Sequence, residues 1–222
     1  MLIQKLGQYE LSQLDEFTYN LKIYKNNKIL YKVIKKILHT TIYDEDTDSI
    51  FFSADKVNSL QQFLFNIHNS KIPQNIWLTM IDELTKQILY LKQKSYGFFG
   101  FNISDILVIN GNTFIYCSGE NLLKLAQDNF IFYSPIDLPY FGNPELYELT
   151  KLPHNINYKC SFYSLGVLFI FCFLNEYLLV GNVIKSQEEI ETILTPIKNT
   201  KIYWFLKRCV HPFIHKRSLL LI

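Results

Sequence analysis

From residue 19 the chain alternates. In YNLKIYKNNKILYKVIKKIL, Tyr19, Leu21 and Ile23 share one face, and beyond Asn26-Asn27 the residues Ile29, Tyr31, Val33 and Lys35 share another. A period of two on both sides of an Asn-Asn pair predicts two strands joined by a tight turn. The acidic run Asp44-Glu45-Asp46-Thr47-Asp48 predicts a solvated loop, and SIFFS at 49–53 a short buried strand. The period then lengthens. Residues 59–65 predict one helix. Residues 76–94 predict a longer one, with Ile76, Met80, Ile81, Leu84, Ile88 and Leu91 on a wide apolar stripe. Residues 106–109 and 113–116 flank Asn110-Gly111-Asn112, a hairpin signal. A loop region marked by Pro135, Pro139, Gly142, Pro144 and Pro153 precedes a buried helix over 162–174, and further helices are expected at 186–194 and near 201–210. Strands first and helices afterwards predict an α+β fold with a small β-rich N-terminal part.

Bulk composition narrows the class. Apolar residues are 49% of the 222, ample for a core, and charged residues at 19% are too few for a disordered tail. The net charge of +2 provides no global field for nucleic acid. The four cysteines, Cys117, Cys160, Cys172 and Cys209, have no CxxC spacing, which favours a reducing compartment such as the cytoplasm over a disulfide framework. Met-Leu-Ile-Gln-Lys at the start has no apolar run suited to a signal peptide. The stretch from Phe162 to Ile184 resembles a membrane span, but its fully apolar part, 165–174, is about half of the roughly 20 residues a span needs. A buried core helix is the expectation.

From residue 49 onward the order of elements and several motifs resemble the protein kinases. Ser161-Phe162-Tyr163-Ser164-Leu165-Gly166-Val167-Leu168 is similar to the Asp-x-Tyr-Ser-Leu-Gly-Val-Leu helix at the centre of the large kinase lobe. Gly166 is the telling residue, because glycine inside a helix costs about 1 kcal/mol against alanine and signals close packing. Residues 97–109 resemble the catalytic loop and the strand after it. Tyr140-Phe141-Gly142-Asn143-Pro144-Glu145 resembles the Ala-Pro-Glu motif, and Trp204 to Cys209 with Arg217 resembles the last kinase motif. The resemblance covers about residues 15–217. It implies a bilobal α+β kinase-like fold, with a reduced N-lobe over 1–53 lacking most of the regulatory helix and a C-lobe over 54–222. It also implies a structural ion pair between Glu145 and Arg217.

Set against what phosphoryl transfer requires, the same resemblance implies lost chemistry. The Gly-rich loop falls on Ser12 to Thr18, which has no glycine and places Asp15 and Glu16 where phosphates would lie. The third-strand lysine falls on Lys35, the one retained nucleotide-binding element. The catalytic aspartate falls on Asn102, and an amide has no useful basicity. Asp105 falls on the metal-binding asparagine. The second metal ligand falls on Cys117, a soft thiol where magnesium wants hard oxygens. The aspartate opening the central helix falls on Ser161. The resemblance therefore implies a pseudokinase without cofactor: not an enzyme, but a scaffold or regulatory subunit that binds protein partners.

Two alternatives stand beside it. One is a divergent Ser/Thr kinase using ATP and magnesium through Lys35, Asp105 and another acidic residue. The other is an RNA-binding accessory protein using the lysines and tyrosines of 22–36. Cys209, His211 and His215 have ligand-like C-x-H-x₃-H spacing, but no fourth ligand lies nearby, so a core cysteine and helix-end histidines are expected in place of a zinc site.

Overall fold

A computed structural model describes residues 2–6, 8–67, 73–180 and 183–221. Met1 of the N-terminal reading, and Gly181 and Asn182 of the apolar stretch, lie outside the described residues. The chain forms two compact units, residues 1–94 with 102–122 and residues 95–101 with 123–222. The expected boundary at 53/54 falls inside the first.

The first unit begins with strands β1 (Leu2–Leu6), β2 (Tyr9–Gln13) and β3 (Thr18–Ile23). Tyr9, Leu11, Tyr19, Leu21 and Ile23 are buried, the inward half of a period-two pattern. Helix α1 (Asn27–Ile37) follows, then β4 (Ile42–Asp44) and β5 (Ser49–Ser53), giving a five-stranded sheet in the order β1-β2-β3-β5-β4. Strand β6 (Val57–Ser59) leads into helix α2 (Leu60–Asn66), opened by a capping box between Ser59 and Gln62. Helix α3 (Gln74–Gln93) buries Met80, Ile81, Leu84, Ile88 and Leu91. Strand β6 pairs with residues 107–109 at the edge of a later hairpin, making a three-stranded sheet.

Helix α1 corrects the reading of residues 19–38 as a strand pair. Leu30, Tyr31, Val33 and Ile34 are buried, which is helical spacing, while Lys28, Lys32, Lys35 and Lys36 point outward. Tyr31 and Val33 belong to both a period of two and the helical stripe, so the alternation was coincidental. Asn26, expected in a hairpin turn, adopts φ 53° and sits at the helix start. The N-terminal region thus contains a three-turn helix where an absent or vestigial one was expected. Lys35 stands on that helix and not on a third strand. Residues 12–18, matched to a Gly-rich loop, close the β2–β3 hairpin. There Asp15 Oδ1 accepts hydrogen bonds from Phe17 N (2.9 Å) and Thr18 N (2.8 Å).

In the second unit, β7 (Tyr96–Phe98) precedes the crossing at residue 102. The chain returns to the first unit as β8 (Ile106–Ile109) and β9 (Thr113–Tyr116), an antiparallel hairpin turned by Asn110 (φ 52°) and Gly111 (φ 74°) as expected. Beyond β9, the second unit continues with β10 (Leu122–Lys124), β11 (Asn129–Phe132), α4 (Pro144–Tyr147) and β12 (His154–Asn157). Then come α5 (Cys160–Leu174), β13 (Leu179–Val180), β14 (Val183–Ile184), α6 (Gln187–Leu194) and α7 (Lys201–Cys209). Strands β11 and β12, which the pattern did not predict, pair antiparallel. Helix α5 is buried on all sides from Cys160 to Ile170, and among the described residues no helix is long and apolar enough to cross a membrane.

Candidate functional site

The residues expected to carry or replace chemistry between 102 and 122 all lie in the first unit. A single 3₁₀ turn over Ile103–Asp105 leads into β8. It aims the Asp105 carboxyl inward, where the residue is only 3% exposed. Asn102 Nδ2 donates to Asp105 Oδ2 (3.2 Å) and Ser104 Oγ donates to Asp105 Oδ1 (3.3 Å). The Asp105 carbonyl accepts from Cys117 N (2.8 Å), which locks the end of β9 onto the turn. Tyr116 Oη accepts from Asn102 N (3.2 Å) and Asn121 Nδ2 (2.7 Å), and Tyr9 Oη donates to the Ser104 carbonyl (3.0 Å).

Tyr9, Tyr116, Cys117 and Asn121 are all buried. Burial raises the Asp105 carboxyl above the usual carboxylate range, only partly offset by the hydrogen bond from Asn102. Burial pushes the Cys117 thiol up, with the nearby Asp105 charge adding to it. The phenols of Tyr9 and Tyr116 move up for the same reason. Burial thus disfavours the charged forms of the Asp105 carboxyl and the Cys117 thiol, which lie beside the Asn102 amide.

The segment after Cys117 is fastened to the start of α1. Asn26 Nδ2 donates to the carbonyls of Gly119 (2.7 Å) and Leu122 (2.9 Å). A Cβ on Gly119 would lie 1.8 Å from the Lys25 carbonyl oxygen, so only glycine allows this approach. Lys25 and Glu120 form an exposed ion pair at 3.0 Å. Tyr9, Asn26, Tyr116 and Asn121 were not legible as site residues. The one available cue was Asn26, an asparagine ahead of a helix, and the Asn-Asn pair had a hairpin reading too.

Lys35 is exposed on α1. With Lys28 and Lys32 it forms one wall of a groove of about 730 Å³, floored by Tyr31 and Ile50 and faced by Tyr43, Glu45 and Asp48. Tyr31 is held rigidly: its hydroxyl accepts from Ile23 N (3.0 Å) and donates to the Asp48 carbonyl (2.8 Å). Elsewhere in the unit, α3 seals the outer edge of β9. Gln87 donates to the Phe114 carbonyl (2.8 Å) and accepts from Tyr116 N (3.0 Å), and Glu83 accepts from Phe114 N (2.6 Å). Burial pushes the Glu83 carboxyl up to about 7.

In the second unit, Glu145 and Arg217 meet in a bidentate pair at 3.0 and 2.7 Å. Arg217 is fully buried, its Nε donates to the His211 carbonyl (2.8 Å), and its guanidinium lies 4.8 Å from the Tyr163 ring centroid. Ser161 Oγ donates to the Phe98 carbonyl, and Asn143 Nδ2 donates to the Phe99 carbonyl (2.8 Å) while its Oδ1 caps α4. Gly166 faces α7 so closely that a Cβ would stand 2.7 Å from Val210 Cγ1 and 2.8 Å from Cys209 Cβ. Cys209 is buried in the core, and His211 Nδ1 accepts from Phe213 N (3.1 Å). Among the described residues no group of three or more His, Cys, Asp or Glu side chains is arranged to hold a metal ion.

No protein-family model matches this chain, and no curated protein matches it.

Proposed function

We propose that this chain is a catalytically inactive protein-kinase-like domain that serves as a protein-binding scaffold or regulatory subunit. The observation that carries the reading is the composition of the 102–121 cluster. An amide, a buried acid without a cationic partner and a buried thiol occupy the positions matched to the catalytic and metal-binding groups; the acid accepts from the amide and from Ser104, and the thiol donates to the Ile115 carbonyl. Lys35, matched to the nucleotide-binding lysine, is exposed on α1, and no hydrogen bond or ion pair among the described residues joins it to Asp105 or Cys117. Removing one such group from a kinase costs several powers of ten in rate, and here the residues matched to base and metal ligand are both replaced. The Glu145–Arg217 pair, with its guanidinium fully buried, and the Gly166 contact support a fold kept for its shape.

Incubation with labelled ATP and magnesium, with and without a generic protein substrate, tests the reading. No incorporation above a no-protein control is expected. Incorporation that disappears in both Lys35→Ala and Asp105→Ala variants would establish the divergent-kinase alternative.

A further inference from the structure

The groove between α1 and the β4–β5 hairpin has an unusual distribution of charge. Lys28, Lys32 and Lys35 fall at i, i+4 and i+7, on one face of α1. None of the salt bridges among the described residues engages them. Their neighbours are engaged: Lys25 pairs with Glu120, and Lys36 lies 4.6 Å from the Tyr90 ring centroid. Like charges one turn apart disfavour a helix by about 0.2–0.5 kcal/mol per pair, so the stripe is a standing repulsion that an anionic occupant would relieve. Beneath it the floor is aromatic and fixed, with the Tyr31 and Tyr43 rings 5.4 Å apart. Strand β4 ends the five-stranded sheet, so its outer side has no neighbouring strand among the described residues.

We propose that this groove docks an extended acidic peptide segment of a protein partner, with carboxylates set against Lys28, Lys32 and Lys35 and apolar side chains resting on Tyr43, which Tyr31 backs from below. The groove's volume of about 730 Å³ accommodates several residues, within the usual size of a recognition site. A free sheet edge suits an extended peptide. Nucleic acid is disfavoured by the opposite wall, where Glu45 and Asp48 would face a phosphate backbone charged along its whole length. A peptide can carry its charge on the lysine side alone. The proposal deepens the scaffold reading and rests on it only for the occupant being a protein.

Fluorescence anisotropy tests it with a labelled octapeptide of alternating Glu and Val, its Gln-for-Glu counterpart, and an RNA octamer. Two triple variants are compared: Lys28→Gln with Lys32→Gln and Lys35→Gln, and a charge-matched control, Lys151→Gln with Lys198→Gln and Lys201→Gln, all exposed positions. Glutamine is a good helix former, so α1 should persist, and far-ultraviolet circular dichroism checks it. The Glu peptide should bind at least about tenfold tighter than the Gln peptide. The groove triple should lose about tenfold and the control less than about twofold, as three modest ion pairs predict. Equal loss in both triples, equal affinity for both peptides, or tighter RNA binding that the groove triple abolishes would each overturn the proposal. Phosphoryl transfer by the wild type would instead overturn the inactive reading and leave the peptide result intact, so the two failures are distinguishable.

Discussion

Asp105 and Glu145 are both carboxyl groups drawn away from solvent, yet their surroundings differ in kind. Around Asp105 stand an amide and a hydroxyl, with no cation among its hydrogen-bond partners, and desolvation drives it toward its neutral form. Glu145 instead grips a fully buried guanidinium through two parallel hydrogen bonds, and an aromatic ring lies against that guanidinium. A buried charge with a matched partner is a structural tie whose loss strands the other partner. A buried acid without one has only dipoles to offset the cost of its charge.

That contrast can be broken at either end. The largest effect belongs to Arg217→Met, which leaves Glu145 without its partner and should cost about 3–5 kcal/mol in urea denaturation. Adding Glu145→Gln to it should recover part of that loss, since no charge is then stranded. Next is Gly166→Ala, in the same unit. Its methyl group would push into Val210 and Cys209, at a cost of about 1–3 kcal/mol by the same assay.

Glu83 supplies a third carboxyl that sharpens the comparison, because it is raised to about 7 while accepting a backbone hydrogen bond. Between its ordinary value of 4.5 and about 7, the unfolded chain gives up a proton that the folded chain keeps. The group's contribution to stability therefore falls as pH rises through that window and is flat above it. Glu83→Gln keeps an acceptor for Phe114 N and carries no charge. It should raise stability by about 1–2 kcal/mol above pH 7, discounted because Glu83 is only partly buried, and flatten the slope between 4.5 and 7 in a series of melts. The smallest effect is expected for Asp105→Asn, within about 1 kcal/mol of wild type at neutral pH, because burial already penalises the charged form of the replaced group.

The long elements were legible because their patterns were unambiguous. Helix α3 has a stripe at helical spacing over five turns, and α5 has apolar residues on every face. The β8–β9 hairpin was marked by Asn110-Gly111, whose positive φ values suit those residue types. Helix α1 was not legible, since Tyr31 and Val33 satisfy two periods at once and only burial of Leu30 and Ile34 separates them. Asn102, Asp105 and Cys117 were singled out by their matched positions, and the structure brings them together. The closure of that cluster was not legible. Tyr9 reaches Ser104 from a strand 95 residues away, and Asn26 reaches Gly119 across 93, distances over which sequence pattern carries no pairing information.

Thermal melting in the presence of ATP and magnesium reports whether the cluster around Asp105 holds a metal-bound nucleotide. A ligand that binds only the folded chain raises Tm, by several degrees once it is about a hundredfold above its Kd. At about 5 mM ATP with magnesium, Tm is predicted to stay within about 1 °C of the value with magnesium alone. A rise of several degrees that vanishes in Asp105→Asn would mean that this carboxyl grips a metal-bound nucleotide, contrary to its sealed and neutral-leaning surroundings.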